Sequence, residues 1–268
     1  MNKPTTEEEF RQVIQTKYSE HFSHIYVLHQ LAESAIHRYR GFTSNHYQGS
    51  LVLIFGRTYK CYDSIRRLCE VALCEDAGVL LRSLLNLMAV TRWISQDPQT
   101  RAKRHFDWYW VSQNSYAQKA HELVPRQRLL TIEKHFNVVK SQFEYKDKQG
   151  KIKFAKHWYA PDARSIRDLF EKVELTEHYD DAYGPLSSIE HSDIDAFLGM
   201  TRDMKRGGSE SRLEMSDDKP IPHYLRNAFQ YFGDIFRICN ASIQIEEPAQ
   251  LEQIIEAGIA FYAGKQKK

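Results

Sequence analysis

Apolar residues recur at intervals of three and four through most of this chain, and that spacing suits one kind of element, the amphipathic α-helix. Thr6 and Glu9 are spaced as a capping box. Behind them Phe10, Val13, Ile14, Tyr18, Phe22, Ile25 and Leu28 begin a stripe that runs to Tyr39 and stops at Gly41. One long helix is expected there. The stripe resumes after FTSNHYQGS at Leu51, Ile54, Tyr62, Ile65, Leu68 and Cys69 and continues through LLRSLLNLMAVTRWI. It predicts two successive helices, or one broken near Gly78. Asp97-Pro98 reads as an N-cap with a first-turn proline, opening a helix that ends before Pro125, and a further helix follows from Arg126 to Phe143. Helical spacing returns in ARSIRDLFEKV, from His178 to Met200, and in two closing helices, PHYLRNAFQYFGDIFRICNAS and PAQLEQIIEAGIAFYAG.

Two stretches depart from the pattern. FEYKDKQGKIKFAKHW alternates lysines with apolar and aromatic residues around a QG turn and predicts a short hairpin or an extended surface loop near 144–160, the one strand signal in the sequence. TRDMKRGGSESRLEMSDDKPIP is charged and contains glycine, so a surface loop is expected over 201–221. The fold class is therefore all-α, a multi-helix bundle. With no internal repeat and no clear linker, residues 1–268 read as a single helical domain. A chain of 268 residues buries roughly three quarters of its unfolded surface, so a sizeable core is available.

Charge and motif content exclude several classes of function. The net charge of +2 produces no strong global field, so binding to nucleic acid would need a local patch. The amino terminus MNKPTTEEEF has no apolar signal-peptide core, and LVLIF and VLLRSLLNLMAV fall short of a membrane span. A cytoplasmic protein with no membrane partner is expected. Cys61, Cys69, Cys74 and Cys239 lack metal-finger spacing and read as reduced core thiols. No Gly-rich phosphate loop, GxSxG, HExxH or GxGxxG occurs, and no cofactor is expected. Arg40 with His46 and Arg128 with His135 show the Arg-to-His spacing of helical HEPN ribonucleases, but so many Arg and His produce such pairs by chance.

The polar residues set inside apolar helix faces are the candidate site. Arg82 stands among leucines with Asn86 one turn on, so the two share a face, and an Arg there needs a partner. Ser187 and His191 are likewise four apart, followed by Asp193 and Asp195, with Tyr183 nearby. Arg82, Asn86, Tyr183, Ser187 and His191 would form one cluster if these helices pack together. Two accounts of it stand open. A core Arg can simply fix the register of packing, or buried charge is kept because a ligand or a reaction uses it. Metal binding by His191 with the two aspartates is the weaker option, and no metal site is assigned. Basic and aromatic residues also mix in RAKRHFDWYW and KDKQGKIKFAKHW, where they could contact phosphates and stack bases or form plain solvated faces.

Three of these stretches, EVALCEDAGVLLRSLLNL, KHWYAPDARSIRDLFEKV and HYDDAYGPLSSIEHSDIDAF, resemble a bacterial all-helical family, the domain-of-unknown-function family numbered fifty-six seventy-seven. The likeness covers roughly residues 46 to 200. It implies a helical fold and membership of Arg82, Tyr183, Ser187 and His191 in one site, with Asn86 standing where relatives carry an acid. It brings no activity with it. Two functions are expected from the residues. One is an effector of bacterial defence or stress acting on RNA or a nucleotide, with His191 as acid or base and Arg82 stabilising phosphate charge. The other is a non-enzymatic binding, regulatory or self-associating module, for which a homo-oligomer is the expected partner.

Overall fold

The computed structural model describes residues 6–41, 43, 45–160, 162–184, 186–187, 201–204, 208–211 and 218–265, with backbone alone described for 201–204 and 208–211. It is all-α: α1 (Glu7–Lys17), α2 (Ser19–Arg38), α3 (His46–Glu70), α4 (Cys74–Gln96), α5 (Pro98–Lys119), α6 (Arg126–Val139), α7 (Ile166–Lys172), a short α8 (Thr176–His178) that continues as a π-helix over Tyr179–Tyr183, α9 (Ile221–Ile243) and α10 (Pro248–Lys265). Two antiparallel hairpins interrupt the helices. One joins β1 (Glu144–Lys146) to β2 (Ile152–Phe154), and the other joins β3 (Thr201–Met204) to β4 (Gly208–Ser211).

Caps explain where several helices begin. Thr6 Oγ1 accepts from the Glu9 amide at 3.2 Å and the Thr6 amide donates to Glu9 Oε2 at 3.3 Å, completing the capping box. Asp97 accepts from the Thr100 amide at 3.2 Å ahead of Pro98, and Ser165 accepts from the Asp168 amide at 3.1 Å at the start of α7.

Three expectations need correcting. The first helix is not continuous: Tyr18, with φ −115° and ψ 25°, separates α1 from α2. The amide of Tyr18 still reaches the Ile14 carbonyl and that of Phe22 the Tyr18 carbonyl, so the chain kinks without losing its apolar stripe. Two successive helices follow, as one of the two readings expected, and the break between them falls at Val71–Leu73 and not near Gly78. Ala72 turns left-handed with φ +53°, the Leu73 amide bonds the Leu68 carbonyl at 2.9 Å, and the Ala72 amide bonds the Cys69 carbonyl at 3.2 Å. That pair of bonds is a Schellman stop, here without its usual glycine. Third, the 201–221 stretch holds the β3–β4 hairpin, with Thr201 opposite Ser211 and Met204 opposite Gly208. The paired glycines of its KRGG run are a turn signal in the sequence, which the surrounding charge masked.

Contacts divide the chain into two compact units, the first formed by residues within Met1–Phe42, Leu51–Thr91 and Glu177–Lys268, the second by Thr43–Ser50 and Arg92–Thr176. In the first unit α2, α9 and α10 pack on one another, and α9 carries the densest apolar stripe of the chain. Phe22, Ile25 and Leu28 of α2, Tyr62 of α3, and Phe229, Phe232 and Phe236 of α9 are fully buried. Each contributes about 1.5–3 kcal/mol of burial. The Tyr62 and Phe232 rings stack at 4.4 Å, and the Tyr62 hydroxyl donates to the Ile25 carbonyl at 3.1 Å, so this large side chain leaves no polar atom stranded. Cys61, Cys69, Cys74 and Cys239 are all free and buried in this unit. Burial pushes the Cys61 thiol up to about 11 and raises those of Cys69 and Cys239 further, which excludes them as thiolate nucleophiles at neutral pH.

The second unit has a smaller core of Val111, Val139, Phe143, Ala155 and Ala160, flanked by Trp108, Trp110, Phe136 and Trp158. Among the described helices α4 alone is long and apolar enough to cross a membrane by length and composition, and 56% of that window is buried within the protein.

Candidate functional site

Arg82 lies half-buried on α4 between the fully buried Leu81 and Leu84. The π-helix brings Tyr183 to it. Arg82 Nη2 donates to the Tyr183 hydroxyl at 2.8 Å, and its guanidinium carbon sits 4.4 Å from the centre of the same ring. Tyr179 in turn stacks on Tyr183 at 4.9 Å with planes 14° apart. These two stretches, far apart in sequence, thus meet at Arg82 and Tyr183 through a cation–π contact as well as a hydrogen bond. Asn86 is half-buried, and its Oδ1 has no hydrogen-bond partner among the described residues. Ser187 is half-buried on the turn after Tyr183, and neither it nor Asn86 bonds to the Arg82–Tyr183 pair among the described residues. His191, Asp193 and Asp195 lie outside the described residues.

A larger polar cluster in the same unit joins α2 to α3. Asp63 Oδ1 lies 2.9 Å from His29 Nε2 and accepts from Arg66, while its Oδ2 accepts from Arg67 at 2.8 Å. Arg66 also pairs with Glu70, which accepts from the Tyr26 hydroxyl at 2.7 Å. Gln15 of α1 donates to that hydroxyl at 3.1 Å, and the Tyr59 hydroxyl meets His29 at 3.1 Å. Arg66 is 9% and Glu70 7% exposed, so the Arg66–Glu70 pair is nearly dry, while Arg67 closes the network at the surface. Burial opposes the charge of Asp63, yet Arg66 and Arg67 together hold its carboxyl below the usual range. The 63–66–70 spacing on α3 and the 26–29 spacing on α2 were signals in the sequence, but nothing there marked these two helices as neighbours.

Burial depresses the basicity of five histidines, His21, His24, His29, His105 and His223. At His29 it outweighs the attraction of Asp63 and Glu33 and is reinforced by Arg66. At His223 the neighbouring Arg226 adds to the effect of burial. A base whose folded pKa is depressed below 6.5 stays neutral in the fold, and the unfolded chain binds the extra proton. Its contribution is fully present above pH 6.5 and is lost as pH falls through the folded value. Thermal unfolding followed by circular dichroism should therefore show a melting temperature that is flat above about pH 7 and falls as the pH drops below about 6.5. That fall comes before the carboxylates titrate, and a flat profile down to about pH 5 would contradict it.

The second unit holds a different kind of site. Asp147 Oδ1 accepts from the amides of Gln149 at 2.9 Å and Lys151 at 3.0 Å, while Gly150 takes φ +77°, and so the β1–β2 turn closes. Beside this hairpin is a cleft of about 390 Å³, lined by Lys146, Lys148, Lys156, Arg164, His157 and Tyr145 among others. Asp147 is the one carboxylate on its wall among the described residues, and it is engaged by the turn and by Lys153 at 3.6 Å. None of the four cations has an ion-pair partner among the described residues. His157 is exposed and stacks on Tyr159 at 5.0 Å.

The other basic stretch behaves differently. Arg101 bonds the Trp93 carbonyl at 2.8 Å and lies 3.3 Å from the centre of that indole, Lys103 pairs with Asp107, and Arg104 pairs with Asp162. RAKRHFDWYW thus holds its own unit together, and KDKQGKIKFAKHW carries the uncompensated charge. Among the described residues no group of three His, Cys, Asp or Glu could hold a metal ion.

Residues 49–208 match a family described as a family of unknown function, DUF5677. No curated protein and no solved structure matches the chain.

Proposed function

The chain belongs to the DUF5677 family, whose function is unknown, and from its own residues we propose that the cleft beside the β1–β2 hairpin binds the phosphates of an RNA or a nucleotide. The observation that carries this reading is the set of four cations, Lys146, Lys148, Lys156 and Arg164, on one cleft wall whose single carboxylate is already engaged. Cations without acids nearby repel one another, and a polyanion relieves that repulsion while releasing its own counterions. Tyr145 and His157 add rings on which a base could lie.

The test is a salt titration. A fluorescently labelled RNA oligonucleotide should bind the protein with log K falling against log salt at a slope of about −3, as four phosphate contacts on a single strand require. Absence of binding at low salt, or binding that salt does not weaken, would sink the proposal.

For Arg82 a second reading has its own observation. The guanidinium is held by the hydroxyl and the face of Tyr183 together, an arrangement suited to latching α4 to the π-helix. Arg82→Met should then lower stability by about 1–3 kcal/mol in a denaturant titration while RNA affinity stays unchanged. Loss of RNA affinity at unchanged stability would instead make Arg82 part of a ligand site, as an effector acting on RNA through Arg82 and His191 requires.

A further inference from the structure

A second depression adjoins the basic cleft in the same unit, and Lys156 lines both. It is an open groove of about 650 Å³ between α5, α6 and the end of β2. Trp108, Tyr116, Phe136 and Phe154 supply its rings, and Tyr116 and Phe154 are 54% and 39% exposed. Asn114 and Gln118 supply side-chain amides that bond to no other described residue. Lys119 and Lys156 are its charged residues, and no carboxylate lines it among the described residues.

Rings for stacking, amides that can both donate and accept, and positive charge without acids are together what an unpaired base on a phosphate backbone requires. A protein segment would be served as well by the rings and the amides, but Lys156 continues the phosphate track of the cleft into the groove, which a strand carrying a phosphate at every residue uses and a peptide does not. A duplex cannot use the groove, because its bases are already paired and stacked.

We infer that this groove seats an unpaired base of the strand whose phosphates occupy the cleft, which makes the ligand single-stranded nucleic acid. The inference rests on the phosphate-binding reading of the cleft. Tyr116 is the residue that tests it, since it is exposed and its removal leaves the small core of the unit intact.

The experiment is a competition against a labelled oligoadenylate strand, using the full chain and its Tyr116→Ala and Tyr116→Phe variants. The competitors are unlabelled oligoadenylate, its duplex with oligouridylate, oligodeoxyadenylate, and inorganic polyphosphate of matched charge. The single strand should compete better than the duplex and the polyphosphate. Tyr116→Ala should weaken the strand about tenfold, as the loss of one stacked base does, and leave polyphosphate unaffected, while Tyr116→Phe restores the strand. Weaker competition by the deoxy strand would name RNA as the source, and equal competition would name single strands of either sugar; both outcomes support the inference. Equal competition by strand, duplex and polyphosphate, with no effect of Tyr116→Ala, would overturn it and leave the cleft standing. If the labelled strand does not bind at all, cleft and groove fall together.

Discussion

Reversing two charges on the cleft wall, Lys148→Glu with Arg164→Glu, is expected to weaken RNA binding by at least about 25-fold at 0.1 M salt. The figure follows from counterion release alone: two lost contacts at a slope of about −0.7 each remove roughly 1.4 logarithmic units between 1 M and 0.1 M salt. Repulsion between the new carboxylates and the phosphates adds to it. Both residues are exposed and neither has an ion-pair partner among the described residues, so the fold should be unaffected. Fluorescence anisotropy reads the loss, and the salt slope of the variant should be shallower by about two contacts. Lys60→Glu, a single reversal at an exposed position of α3, is the control and should change affinity little. An equal loss from Lys60→Glu would mean that overall charge, not the cleft, attracts the ligand.

The other large effect concerns stability. Arg66→Met should cost the fold about 3–5 kcal/mol, the usual consequence of removing one partner from a buried ion pair. Asp63 would keep His29 and Arg67, but Glu70 would retain, among the described residues, only the Tyr26 hydroxyl for a charge that is 7% exposed. Arg66→Met combined with Glu70→Leu removes both charges and fills the same space with apolar atoms, so most of the loss should be recovered. Urea denaturation at neutral pH compares the three proteins. A double variant as unstable as the single one would show that packing around the arginine stem, not its charge, holds α2 and α3 together.

Much of the fold was legible because burial repeats with the helix period. The stripe on α9, from Ile221 through Phe229 and Phe236 to Cys239, is read directly from spacing. The kink at Tyr18 was not, since no glycine or proline marks it and the apolar stripe passes through. In the candidate site, Arg82 could be found because an arginine among leucines must have a partner, and Tyr183 was near the right place in the chain. The network on Asp63 and Arg66 could not, because its members belong to helices whose adjacency only the fold supplies.

The two basic stretches show the same limit from the other side. Both looked alike in sequence. Arg104 is neutralised by Asp162, 58 residues away, whereas Lys148 and Lys156 have no ion-pair partner among the described residues. The groove was hidden for a further reason. Asn114, Gln118 and Lys119 have the composition of any solvated helix face, and that face becomes one side of a groove where Phe136 from α6 and Phe154 from β2 come to line it.

The placement of sulfur and indole gives the molecule two separate optical and chemical reporters. Every cysteine, at 61, 69, 74 and 239, falls in the first unit, and every tryptophan, at 93, 108, 110 and 158, falls in the second. Thiol labelling under graded denaturant therefore times the opening of the unit that holds the Asp63–Arg66 network, while intrinsic fluorescence follows the unit that holds the cleft. One unmodified sample can thus say whether the two halves unfold together or in turn.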